Sequence, residues 1–163
     1  MAGELHIREM QENDRDAVMR IFNHYAKTSF AAYPDGPLPP QFFPHLKEGA
    51  ISTVVLEDAD GIAGFGLLKP FFPFPAFRKT GMLTYFIAPE RTGKGLGTRI
   101  FLRLTEDAKK NGVKTLLANI SSKNERSIRF HVKQGFTITG TLAGVGEKFG
   151  EPFDIVWMQR PVE

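Results

Sequence analysis

ERTGKGLGTRIF, residues Glu90 to Phe101, sets glycines at three alternate positions among three basic residues and then turns into an apolar helical pattern. Glycine lacks the Cβ that would hold a ligand away from the main chain, and the first amides of a helix have no partner within it. A glycine-rich turn that opens a helix therefore aims several N–H donors at one anion. The stretch reads as a phosphate cradle. Arg91, Lys94, Arg99 and Arg103 lie around it as a small, multiply phosphorylated ligand would favour, although a solvated helix face explains Arg103 equally well.

Working outward, the residues before the cradle, Met82 to Ala88, form a β-rich run stopped by Pro89. After it, Leu96, Ile100, Leu104 and Ala108 share one face of a helix that Gly112 ends. Thr115 to Ile120 reads as a buried strand, Asn124 to Gln134 as a helix closed by Gly135, and two more strands lie near Phe136 to Leu142 and Phe153 to Met158. Toward the amino terminus, Leu5 to Met10 alternates as a strand. Asn13 or Asp14 can cap a helix with the stripe Ala17, Val18, Ile21, Phe22 and Tyr25. Five prolines between Ser29 and Pro44 predict an irregular connection with a short helix near Gln41 to Lys47. Ile51 to Leu56 and Ile62 to Leu68 form a hairpin through Asp58 to Gly61. Lys69 to Lys79 crowds prolines among phenylalanines, and reads either as a loop that covers the core or as an apolar wall of a substrate pocket. The order of elements predicts an α/β (α+β) fold with a mixed sheet and helices on both faces, and the cradle falls at a strand's C-terminal end, where open α/β sheets bind ligands.

With 163 residues and 42% hydrophobic content, residues 1–163 are expected to fold as one domain with a core of its own. The chain has no cysteine, which excludes disulfides, thiolate metal sites and an acyl-cysteine intermediate, and is compatible with a reducing cytoplasm. His6, His24, His45 and His131 lack metal-ligand spacing, so no metal is expected. No apolar run is long enough to span a bilayer, and MAGELHIREM lacks the apolar region of a leader, so a soluble, unprocessed, cytoplasmic protein is expected. A net charge of +3 does not argue for nucleic acid.

Three phosphate-binding templates compete for the cradle. The nucleoside triphosphate loop needs Gly-Lys-Ser/Thr, but Gly95 follows Lys94. The dinucleotide fingerprint needs a glycine where Thr98 stands. The third, Arg/Gln-x-x-Gly-x-Gly/Ala directly after a strand and before an amphipathic helix, is approached by Arg91, Gly93 and Gly95, with one residue rather than two between Arg91 and Gly93. These residues resemble motif A of the GNAT superfamily of N-acetyltransferases. Asn119 to Phe136, NISSKNERSIRFHVKQGF, looks like the superfamily's next segment. IFNHYAKTSFAAY, residues 21–33, and GTLAGVGEKFGEPFDIVWMQ, residues 140–159, resemble its phosphinothricin acetyltransferase-like branch.

The resemblance implies a mostly antiparallel sheet, acetyl-CoA as co-substrate without a metal, a small-molecule amine as acceptor, and often a homodimer. It assigns the pyrophosphate to Arg91, Thr92, Gly93, Lys94, Gly95, Leu96, Gly97 and Thr98, and the acetyl carbonyl and pantetheine arm to backbone amides along Tyr85, Phe86 and Ile87. Asn124 would help to hold that arm, and as a helix cap it has a second use. His131 stands where the branch carries a histidine in place of the superfamily's tyrosine general acid, and its imidazole titrates near neutrality. Asp154 matches an acidic position, with a strand-end hydrogen bond as its expected use. Two residues before Thr84, where the branch has a carboxylate, this chain has Met82, whose thioether cannot accept a proton. The candidate base is then Glu147, His131 or water. Glu151 and Pro152 replace an Arg-Trp pair typical of the branch, which argues against phosphinothricin itself as substrate. Without a carboxylate base, the alternative is a non-catalytic acyl-CoA-binding module.

Overall fold

The computed structural model describes residues 3–163. Seven strands form one sheet: β1 (His6–Glu9), β2 (Ser52–Asp58), β3 (Gly61–Pro70), β4 (Thr80–Ile87), β5 (Thr115–Ser121), β6 (Thr137–Lys148) and β7 (Glu151–Pro161). Their spatial order is β1-β2-β3-β4-β5-β7-β6. Every neighbouring pair is antiparallel except β4 and β5, which run parallel. Four helices complete the fold: α1 (Arg15–Thr28), α2 (Phe43–Lys47), α3 (Leu96–Lys110) and α4 (Glu125–Lys133). No helix among the described residues is long and apolar enough to cross a membrane.

Alternation along the strands sorts the side chains into two cores. Val55, Phe65, Leu67 and Phe86 face α1 and α2, whose Val18, Ile21, Phe22 and Phe43 meet them. Val54, Leu56, Leu68 and Leu83 face the other way and pack with Ile100, Phe101 and Leu104 of α3. The helix lies so close that a Cβ on Gly66 of β3 would fall 2.5 Å from Ile100 Cγ2, so glycine is required there.

The expected elements are present, with three differences. Asp14 does not cap α1 through its side chain. Its carboxylate accepts two hydrogen bonds of 2.8 Å from the Arg8 guanidinium and one of 2.7 Å from the Gln11 amide, and a charged fork outcompetes a neutral helix amide. The last two strands run well past Leu142 and Met158. They meet at Phe149 and Gly150, both at positive φ (55° and 75°), the backbone of a tight two-residue hairpin turn. Gly146, which falls between the two expected strand segments, is needed inside β6 because the Phe153 ring fills its Cβ position at 2.2 Å. In the third, β3 extends through Pro70, and the Phe-Pro segment beyond it leaves Phe72, Phe74 and Phe77 exposed. Phe71 meets the Trp157 ring edge-on at 6.0 Å, and none of these phenylalanines lines the cleft described below.

Candidate active site

β4 and β5 pair only from Thr80 to Met82 against Thr115 to Leu117. β4 stays bonded to β3 as far as Ile87, and β5 to β7 as far as Ser121. Held by different neighbours, the two parallel strands part, and a cleft of about 610 Å³ opens between them. The Ala88 amide donates to the Ala63 carbonyl at 2.8 Å. Hydrogen-bonded pairs alternate along an antiparallel ladder, so Phe86 and Thr84 also turn their main-chain groups to β3. The main-chain groups of Leu83, Tyr85 and Ile87 therefore turn to the β5 side, where those of Tyr85 and Ile87, beyond the paired stretch, face the cleft. This corrects the expectation for Phe86, whose backbone belongs to the sheet and whose ring packs among Phe22, Tyr25 and Phe65. The Ile87 carbonyl is taken by the Tyr25 hydroxyl at 2.5 Å.

At one end of the cleft lies the glycine turn. Gly93 and Gly95 hold φ of 78° and 76°, where a side chain is strained, and Gly95 occupies the N-cap of α3. The first helical bond runs from the Arg99 amide to the Gly95 carbonyl at 3.3 Å, so the amides of Leu96, Gly97 and Thr98 have no partner within the helix. Thr92, Gly93, Gly95, Gly97 and Thr98 line the cleft, and Leu96 adds its amide while its side chain enters the core. The Thr98 hydroxyl accepts from Gln134 at 3.2 Å and so ties α3 to α4. Arg91 is largely spent on the protein, because its guanidinium pairs with the Asp58 carboxylate and pins the turn to the β2–β3 hairpin. That pairing holds the Asp58 carboxyl below its ordinary range. Lys94 does not line the cleft. Arg126 does, and sequence reading missed it: its Nη2 reaches to 3.9 Å from the Cβ position of Gly93, and it forms no ion pair among the described residues. These partnerless amides, open glycines and one cation suit a diphosphate.

Midway along the cleft, His131 is only 4% exposed. Its Nδ1 lies 2.7 Å from the Ser127 carbonyl, which can only accept, so Nδ1 carries the proton. Nε2 is then the acceptor for the Tyr85 hydroxyl, 2.5 Å away. Burial lowers the pKa of His131, so the ring is neutral near pH 7, and burial pushes the Tyr85 phenol far above its ordinary value. Asn124 caps α4, its side chain accepting from the Ser127 amide at 3.3 Å, and it lines the cleft beside Ser121.

The family model of the acetyltransferase (GNAT) family matches residues 18–136. The chain belongs to the GNAT acetyltransferase family. It is similar to the phosphinothricin N-acetyltransferase of Streptomyces coelicolor, 28% identical with 98% of each chain covered. It is 29% identical to the L-methionine sulfoximine/L-methionine sulfone acetyltransferase of Salmonella typhimurium, covering 96% of this chain and 94% of that one. Among solved structures it resembles yncA of Salmonella typhimurium with its cofactor acetyl-CoA, at a TM-score of 0.87 and 29% identity over 98% of this chain and 94% of that one.

In this GNAT acetyltransferase the far end of the cleft is aromatic. Phe22, Phe42, Phe86 and Tyr33 surround it with Ala31, Ala32 and Pro34. The Tyr33 hydroxyl donates to the Asn119 side chain at 2.7 Å, and burial pushes its phenol up to about 12. The buried Lys148 ammonium donates to the Ala32 carbonyl at 2.6 Å and fixes this wall from behind. Glu147, its neighbour on β6, points to the opposite face, is exposed and does not line the cleft, which removes it from the site. Asp154 accepts from the Gly144 amide at 2.8 Å, the strand hydrogen bond expected of it. Met82 lies outside the lining, and no Asp or Glu among the described residues belongs to it.

Proposed function

We propose that this acetyltransferase moves the acetyl group of acetyl-CoA to the amine of a small molecule, an amino acid analogue or a toxic metabolite, by direct transfer with both substrates bound. One observation carries the reading: a single cleft joins the diphosphate cradle of Gly93 to Thr98 to the aromatic chamber around Tyr33, with the amides of Tyr85 and Ile87 turned into it in between. Leu96, Gly97 and Thr98 would hold the phosphates together with Arg126, and Tyr85 and Ile87 would orient the arm. The thioester supplies an activated acyl group. The loop of Ala31 to Pro34, fixed by Lys148, forms one wall of the chamber. The absence of cysteine from the chain favours direct transfer over a thioester on the protein. Names of relatives, which refer to amino acid analogues, support the acceptor class.

The test is thiol release from acetyl-CoA with a panel of amino acid analogues and simple amines, with the N-acetyl product weighed by mass spectrometry. Turnover with at least one α-amino compound is expected. The missing carboxylate favours a second reading, a non-catalytic acyl-CoA-binding module, which tight binding without turnover across the panel would support.

A further inference from the structure

Resting on that reading, a further question is how the proton moves. The attacking amine must lose one proton and the departing thiolate must gain one, so a single shuttled proton balances the transfer. The ionisable side chains that line the cleft are Tyr25, Tyr33, Tyr85, His131, Arg91 and Arg126. Guanidinium groups keep their protons. The Tyr25 hydroxyl is committed to the Ile87 carbonyl and that of Tyr33 to Asn119. What remains is Tyr85 and His131, whose Oη and Nε2 are 2.5 Å apart.

We infer that Tyr85 Oη is the catalytic group of this acetyltransferase and that His131 is a positioning residue that stores the proton behind it, the pair standing in for the absent carboxylate. As the amine nitrogen gives its proton to Oη, the proton already on Oη passes to Nε2. One O–H bond forms while another breaks, and His131 becomes an imidazolium. The proton on Nε2 then returns to Oη as Oη gives its own to the thiolate sulfur, so both side chains end as they began. Nδ1 stays out of the exchange because the Ser127 carbonyl holds its proton. Burial of Tyr85 makes a lone phenolate costly, which requires Oη to receive one proton as it releases another. The groups that face the imidazole are the Tyr85 hydroxyl from β4, Ser127 and Phe130 from its own helix, and Phe136 beyond it. None is charged, so the capacity of Nε2 to hold a proton depends on Tyr85.

Three measurements test the pair. Tyr85→Phe keeps the ring and removes only the hydroxyl, and it should lower kcat about 100-fold while the acetyl-CoA Kd stays within twofold. His131→Gln should give a similar loss, and the double variant should lose no more than either single one. Nitrogen NMR of His131 in the ligand-free protein should show the proton on Nδ1 and an Nε2 signal that moves when the Tyr85 hydroxyl is removed. Turnover retained in Tyr85→Phe, multiplying losses in the double variant, or an Nε2 signal indifferent to Tyr85→Phe would each overturn the relay. A wild-type protein that acetylates no amine is a different outcome: it overturns the reading of the preceding section and the relay with it.

Discussion

The two ends of the cleft are built in different ways. At the cofactor end most of the groups that face the cleft are main-chain amides from one contiguous stretch, Gly93 to Thr98, in which three residues are glycines and Leu96 turns its side chain into the core, with Arg126 added from α4. From the middle to the acceptor end, side chains delivered by separate elements join the amides of Tyr85 and Ile87. Tyr33 reaches Asn119 across 86 positions and Tyr85 reaches His131 across 46. A contiguous backbone site tolerates little change in its glycines and says little about the acceptor. A dispersed side-chain site can exchange one acid–base group for another while the sheet stays the same, which is how Met82 can occupy a carboxylate position in an intact acetyltransferase fold.

The comparison breaks most directly at Gly95. Its φ of 76° forbids a β-branched side chain without strain, and the open space around it means that Gly95→Val acts through backbone rather than crowding. Rotating that residue turns the amides of Leu96 to Thr98 away from a common point. With each net hydrogen bond contributing about 1 kcal/mol, the acetyl-CoA Kd measured by calorimetry should rise on the order of 100-fold. Gly97→Ala is the control, since its Cβ would meet the Phe130 ring at an ordinary 3.6 Å, and affinity should stay within about threefold. Equal losses in both variants would mean that the turn is merely packed.

Arg126 sharpens the same end with a smaller effect. Replacing it by Ala should raise KM for acetyl-CoA about tenfold and leave KM for acetyl-pantetheine, which has no diphosphate, unchanged. Arg91→Ala should instead lower the melting temperature, because Asp58 loses the partner that ties the hairpin to the turn. Comparable losses with both thioesters in Arg126→Ala would deny it a phosphate contact.

How much of this the sequence disclosed follows the same division. The glycine turn was legible because alternate glycines, the preceding strand and the following amphipathic helix are contiguous, and the mixed sheet because its β-rich runs are set apart by turn residues and amphipathic helices. Arg91 has a partner that local sequence does not reveal: a basic residue at a phosphate motif reads as a ligand, and this one, which lines the cleft, is also engaged by Asp58, 33 positions away. Arg126 carries no local signal that sets it apart from such other charges of its helix as Glu125 and Arg129. Glu147 drew notice as a carboxylate, but the register of β6 decides which face it takes, and the bulge between Leu142 and Gly146 hid that register. Tyr85 was chosen for its amide, while its hydroxyl bond to His131 depends on how α4 lies against β4, which spacing does not encode.

The acceptor end is tested by Tyr33→Phe, which removes a neutral hydrogen bond to Asn119 and keeps the ring. KM for the amine should rise about fivefold with acetyl-CoA affinity unchanged, and a change in the cofactor term instead would merge the two ends into one.

The last and smallest effect is on stability, and it belongs to the middle of the cleft alone. In the unfolded chain His131 takes up a proton near the ordinary imidazole value of 6.5, while burial lowers that value in the folded protein. Between the two values the unfolded state holds more protons, so acid favours unfolding, and stability that is complete above pH 6.5 declines as the pH falls below it. His131→Gln removes the titrating ring. Whatever its absolute stability, its denaturant midpoint should fall less steeply from pH 7 to pH 5 than that of the wild type. Parallel slopes would mean that His131 titrates normally in the folded state, and that its imidazole is open to water rather than enclosed between Tyr85 and Ser127.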